Sequence, residues 1–155
     1  MAESRSHLAP NPAFERDFAS TRIRLTYADC DPAGIVYFAS WFPWMERLLS
    51  GWLFDQGLRS DQLMENHGFA TITRQAECEY LHPAALFDEI RMDMVSARIG
   101  RTSVHWGFTM RRERDGVEVG RGKITWVTID GQGLPLRVPE QIRAAVASAR
   151  PPQEG

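Results

Sequence analysis

Residues 22–27 alternate: Ile23, Leu25 and Tyr27 fall on one parity, Arg22, Arg24 and Thr26 on the other, the pattern of a half-buried strand. Asp29-Cys30-Asp31-Pro32-Ala33-Gly34 then interrupts with turn chemistry. From Phe38 the period lengthens. Phe38, Trp41, Phe42, Met45, Leu48, Leu49, Trp52 and Leu53 follow helical spacing, and Trp44 and Phe54 widen the apolar face. The pattern predicts a long helix wrapped on several sides and stopped at Gly57. Ser60-Asp61 predicts the cap of a short second helix ending near Gly68.

After Gly68 the period returns to two. One strand is predicted over about residues 69–81, with Ala70, Ile72, Ala76, Cys78 and Tyr80 on one parity. A second covers about 86–97 with Ile90, Met92 and Met94, and a third carries Val104, Trp106, Phe108 and Met110. Asp115-Gly116 predicts a hairpin turn into a fourth, about 117–129, where Gly120 and Gly122 signal a bulge or a close backbone approach. Pro139 opens a final helix with Ile142 and Val146 on one face. Strand, long apolar helix, then four strands predict an α+β domain in which a curved antiparallel sheet of about five strands wraps one buried helix. Residues 1–19 and 149–155 lack periodicity and are expected to be flexible arms around a single domain over 20–148.

Composition adds limits. The chain has 155 residues, one domain's worth. A net charge of −2 gives no bulk attraction to nucleic acid or to a membrane surface. No apolar run of about 18 residues is present, as a membrane-spanning helix needs. The polar first residues do not read as a signal peptide, and two cysteines make no disulfide framework, so the expected location is the cytoplasm. The scattered histidines His7, His67, His82 and His105 make no metal-ligand spacing, and no cofactor is expected. His82, before Pro83, reads as a turn residue and His105 as a surface one.

Chemistry concentrates in residues 27–38, where two carboxylates flank Cys30 and Pro32 and Gly34 turn the chain into the long helix. A helix start offers unpaired N–H donors able to polarise a carbonyl, and a nearby carboxylate can act as nucleophile or base. By spacing alone, an Asp at such a place is more often a cap than a catalyst. Cys30, between two negative charges, is a poor thiolate. Glu77 and Glu79 are a solvated strand face or, less simply, rival carboxylates.

The run Asp29-Cys30-Asp31-Pro32-Ala33-Gly34-Ile35-Val36 resembles the signature loop of the 4-hydroxybenzoyl-CoA thioesterase family. Met45-Glu46-Arg47 looks like the short-chain acyl-CoA thioesterases associated with the tol–pal system, and a weaker resemblance runs over about residues 20–145. The resemblance implies a hotdog fold and hydrolysis of an acyl-CoA, with Asp31 attacking the thioester or activating water and a backbone N–H near Tyr37 or Phe38 polarising the carbonyl. CoA is then part of the substrate. It also implies a dimer or dimer of dimers, with sheets paired edge to edge and the active site between subunits. Gly34, Val36, Trp41 and Glu46 fall on substrate-binding positions, Arg101 in the segment that often meets the CoA phosphates, and Arg137 is a second phosphate candidate. The chain departs from the relatives at Tyr37-Phe38, where they carry Trp-Tyr or a histidine, at Trp41, which replaces a tyrosine, and at Glu46. Aromatic residues near the helix start favour an aromatic acyl group, as in aromatic-acid catabolism. A short- or branched-chain acyl-CoA, a carrier-protein thioester, a non-catalytic acyl-CoA-binding module and a hotdog dehydratase are the alternatives.

Overall fold

The structure is a computed structural model that describes residues 15–149. Five strands form one antiparallel sheet: β1 (Glu15–Arg24), β2 (Ala70–Tyr80), β3 (Glu89–Ile99), β4 (Ser103–Arg112) and β5 (Glu118–Ile129). Their order is β1-β3-β4-β5-β2, so β1 and β2 are the edges. The helix α1 (Trp41–Asp55) packs on the concave face, α2 (Leu63–His67) follows it, and α3 (Glu140–Ser148) closes the described chain. A curved sheet with this helix in its palm is the hotdog fold.

The alternation in β3 and β4 reads directly as burial. Ile90, Met92, Met94, Val104, Trp106, Phe108 and Met110 are all at most 1% exposed, because both strands lie inside the sheet with α1 across one face. Trp41, Met45, Leu48, Leu49, Trp52 and Leu53 turn inward from α1. Each such side chain contributes roughly 1.5–3 kcal/mol when removed from water. Gly122 lets helix and sheet meet, since a Cβ there would overlap the Met45 sulfur. This is the close approach that the glycine pattern in β5 signals.

Five local expectations change. β1 begins at Glu15, so residues 15–19 belong to the sheet and not to an arm; Phe18 is buried with its ring 5.4 Å from Trp52, which ties the segment to the core. Residues 1–14 and 150–155 lie outside the described residues. The first strand ends at Arg24, and Tyr27 sits in a 3-10 turn (Tyr27–Asp29), 79% exposed. Helix α1 is covered on one side only: Glu46, Arg47, Gly51, Phe54 and Asp55 are exposed. Ser60-Asp61 does not cap α2, whose N-cap is Gln62; Asp61 pairs with Arg59 instead, at 2.8 Å. Finally, Ile72 and Ala76 of β2 are exposed, because an edge strand lacks a neighbour on one side.

Candidate active site

The segment between β1 and α1 is held by Asp29. Its Oδ2 accepts from the Thr26 N–H at 2.9 Å and the Thr26 hydroxyl at 3.3 Å, and its Oδ1 from Trp44 Nε1 at 3.3 Å. Its carbonyl accepts from the Tyr37 N–H at 2.8 Å and the Ser40 hydroxyl at 2.9 Å. Asp29 therefore ties the loop at both ends, and both of its carboxylate oxygens are used.

Asp31 is built differently. Its backbone closes a tight turn: Asp31 N–H to the Ile35 carbonyl at 2.9 Å, Gly34 N–H to the Asp31 carbonyl at 3.0 Å. Gly34 takes φ +76, a left-handed geometry that glycine adopts without steric cost. The Asp31 Oδ1 accepts from the Ala33 N–H at 2.8 Å. Among the described residues nothing donates to Oδ2. One oxygen is fixed by the turn and the other is open. The turn docks on the β2–β3 connection through Val36 N–H to Ala84 at 2.8 Å and Leu86 N–H to Gly34 at 2.9 Å.

Asp31, Ile35, Val36, Phe38 and Trp41 line one cleft of about 380 Å³ with residues 80–83 at the end of β2. Of the two amides considered at the helix start, the Tyr37 N–H is taken by Asp29, while the Phe38 N–H has no acceptor among the described residues. Phe38 opens a 3-10 turn (Phe38–Ser40) that leads into α1, and Ser40 N–H bonds back to the Tyr37 carbonyl at 2.9 Å. That bond polarises the same peptide unit that carries the Phe38 N–H. The Tyr80 hydroxyl donates to the Phe38 carbonyl at 2.6 Å and pins the turn to β2. Burial pushes the Tyr80 phenol up to about 12, with Cys78 adding to it, so it remains a donor at neutral pH.

The other predicted residues separate. Glu46 is exposed on α1, where the Ser50 hydroxyl donates to it, and is not part of the cleft lining. Arg101 and Arg137 lie side by side, since the Val138 N–H bonds the Arg101 carbonyl at 2.8 Å, and both are exposed. They sit at the far end of the sheet from Asp31: β3 begins just after the docked turn and runs 11 residues before reaching the Arg101 turn, about 30 Å along the strand. Glu77 is half-buried opposite Lys123, at 3.6 Å, on the outer face. Burial, then Asp29, Asp31 and Asp88, raise the Cys30 thiol, which keeps it protonated beside the catalytic candidate.

The sequence pattern missed Tyr80 and His82 as cleft residues. Tyr80 was readable only as part of a strand parity. Its use depends on a contact 42 residues away.

The fold is shared with solved thioesterase structures. Slr0204, a 1,4-dihydroxy-2-naphthoyl-CoA thioesterase from Synechocystis, superposes with a TM-score of 0.75 at 17% identity, over 84% of this chain and 96% of that one. The dynemicin thioesterase matches with a TM-score of 0.71 at 22% identity, over 85% and 96%. BH1999, a gentisyl-coenzyme A thioesterase, matches with a TM-score of 0.67 at 19% identity, over 80% and 98%. No curated protein matches this chain. A family profile matches residues 25–146, from the end of β1 to α3, and on that match the chain belongs to the thioesterase-like superfamily.

Proposed function

We propose that this protein hydrolyses an acyl-CoA thioester, with Asp31 as the catalytic carboxylate and the Phe38 N–H as the donor to the acyl carbonyl. One observation carries the reading. Among the described residues, a carboxylate with one fixed and one unpartnered oxygen shares a cleft with a residue whose N–H has no partner. A donor aimed at a developing oxyanion and a carboxylate beside it are what acyl transfer needs. Membership of the thioesterase-like superfamily supports the same chemistry.

An aromatic acyl group is favoured. Phe38, Trp41 and Tyr80 give the cleft aromatic walls, suited to stacking with a flat ring. Two structural neighbours carry names with aromatic acyl groups, the dihydroxynaphthoyl and gentisyl esters. A 4-hydroxybenzoyl-like ester fits the loop resemblance.

Arg101 and Arg137 suit the CoA phosphates, because guanidinium forks match phosphate oxygens. Within one subunit they are too far along the sheet for one CoA ester to bridge. Tyr80, in the cleft, and Ala70, near the Arg101 turn, are opposite ends of the unpaired edge strand β2. Antiparallel pairing of two β2 edges would bring the partner subunit's Arg101 beside the cleft. A homodimer, alone or doubled into a tetramer, is therefore part of the proposal.

The test is thiol release across aromatic, short-chain and long-chain acyl-CoAs, with Asp31→Asn and Arg101→Ala alongside. Asp31→Asn is expected to lower kcat at least about 100-fold with KM nearly unchanged. Arg101→Ala should raise KM for CoA esters and not for N-acetylcysteamine esters. Near-normal turnover by Asp31→Asn removes Asp31 from the mechanism. Release on short chains alone moves the substrate away from aromatic esters.

A further inference from the structure

The cleft holds three titratable side chains among the described residues: Asp31, Tyr80 and His82. His82 is in a rigid setting. Its N–H, with that of Leu81, bonds the Val119 carbonyl, at 3.3 and 3.0 Å. Pro83 follows, and its carbonyl accepts from Arg112 at 2.7 Å. The imidazole is oriented as well, with Nδ1 3.1 Å from the Glu118 carbonyl oxygen. A carbonyl can only accept, so in the neutral ring Nδ1 carries the proton and Nε2 the lone pair. The Glu118 carboxylate is engaged by Arg121 and, at 3.6 Å, by Arg111, so His82 meets the peptide oxygen of Glu118 and not its charge.

The geometry points to His82 as the base that activates water in the second half of the reaction, with Asp31 as nucleophile in the first. This rests on the thioesterase reading above. In the first half an Asp31 oxygen bonds the acyl carbon, the C–S bond breaks, and the electron pair leaves on the CoA thiolate. The enzyme now holds a mixed anhydride, and Asp31, being acylated, is no longer a base. Water must next bond the acyl carbon while losing a proton. Tyr80 does not take it, since its phenol is a donor to Phe38 and its pKa is about 12. His82 Nε2 remains. It accepts the proton as the anhydride C–O bond breaks and the Asp31 carboxylate is restored. The imidazolium then gives the proton to the thiolate. The sum is thioester plus water to acid plus thiol.

This assignment gives the two carboxylates and the imidazole distinct work: Asp29 holds the loop, Asp31 attacks, His82 moves the proton. It is tested by rapid-mixing measurement of thiol release on the best acyl-CoA of the panel, using wild type, His82→Asn, His82→Ala and Asp31→Asn. His82→Asn keeps a donor for the Glu118 carbonyl and has no basic nitrogen, and His82 is exposed, so thermal melting should match wild type. The expected result is a burst of one thiol per active site followed by turnover about 100-fold slower than wild type, the scale of a lost general base. Added imidazole should restore part of the rate to His82→Ala, which a merely structural role would not allow. Asp31→Asn should show no burst. Turnover of His82→Asn within threefold of wild type, a raised KM alone, or slow turnover without a burst would each overturn the assignment. Failure of the thioesterase reading would show separately, as a wild-type enzyme that releases thiol from no ester.

Discussion

Two groups of aromatic rings occupy opposite environments. In the first, Phe18, Trp52, Trp106 and Trp126 pack edge to face or tilted, with centroids 5.3–5.9 Å apart, and all are less than 10% exposed. They come from β1, α1, β4 and β5, so the group joins four elements. In the second, Tyr27 meets Phe87 at 6.2 Å and Tyr37 meets Phe38 at 4.5 Å, and these rings are 44–79% exposed. All four come from connections around the Asp31 turn. Phe87 even takes φ +68, held by its N–H to Leu25 at 2.8 Å and by Arg24 on its carbonyl at 3.2 Å. Such a backbone costs about 1–3 kcal/mol. The inner group is accounted for by folding. The outer one adds little to the stability of a single subunit, which fits a surface meant for an acyl group or a second copy.

Substitutions can break this contrast. The largest effect is expected for Trp106→Ala: a loss of about 3–5 kcal/mol in denaturant unfolding, from a cavity among three other rings. The loss is slightly offset because the Trp106 indole N–H is buried without a partner among the described residues. Next is Asp29→Ala, which leaves the Thr26 N–H and Trp44 Nε1 without their acceptor and should cost about 1–3 kcal/mol. If Asp29 only positions the loop, this variant loses stability together with activity, whereas Asp31→Asn loses activity alone. A stable Asp29→Ala would show that the network around it is dispensable.

Phe38→Ala tests the outer group. At 59% exposure its removal should leave stability within about 0.5 kcal/mol, while KM for an aromatic ester rises several-fold. A drop in stability equal to that of Trp106→Ala would erase the distinction between the two groups. The smallest effect concerns the outer face of the sheet. His105 is held below the usual imidazole range by burial first, then by Arg98 and Lys123, against the opposing pull of Glu77. Its ring also contacts the Thr125 hydroxyl at 3.0 Å and the Ser103 hydroxyl at 3.4 Å. The unfolded chain then binds the proton more readily than the folded one. Stability from this group is complete above the unfolded value of about 6.5 and is lost as pH falls from there through the folded value. Melting temperature should decline from pH 7.5 to pH 5, and His105→Gln should flatten that decline.

How much was legible follows from the range of each interaction. The long helix, strands β3 to β5 and the turn at residues 29–34 are written locally, because sidedness repeats with the period of the backbone and turn residues set φ within a few positions. The Asp31 loop could be recognised for the same reason, since its Asp, Pro and Gly act within one turn. Parity could not tell that β2 is an edge: Ile72 and Ala76 obey the strand pattern and are exposed because, among the described residues, no strand lies beyond them. Nor could it set Tyr80 and His82 beside Asp31, or separate Arg101 from it by the length of β3. The sequence by itself determined the elements, the buried parity of the central strands and the chemistry of one loop. Tertiary structure alone decided which histidine enters the cleft and how far Arg101 lies from it, because both depend on docking between segments far apart in the chain, whereas the tied Asp29 carboxylate and the open Phe38 amide are set by hydrogen bonds within residues 26–44 that side-chain parity does not encode.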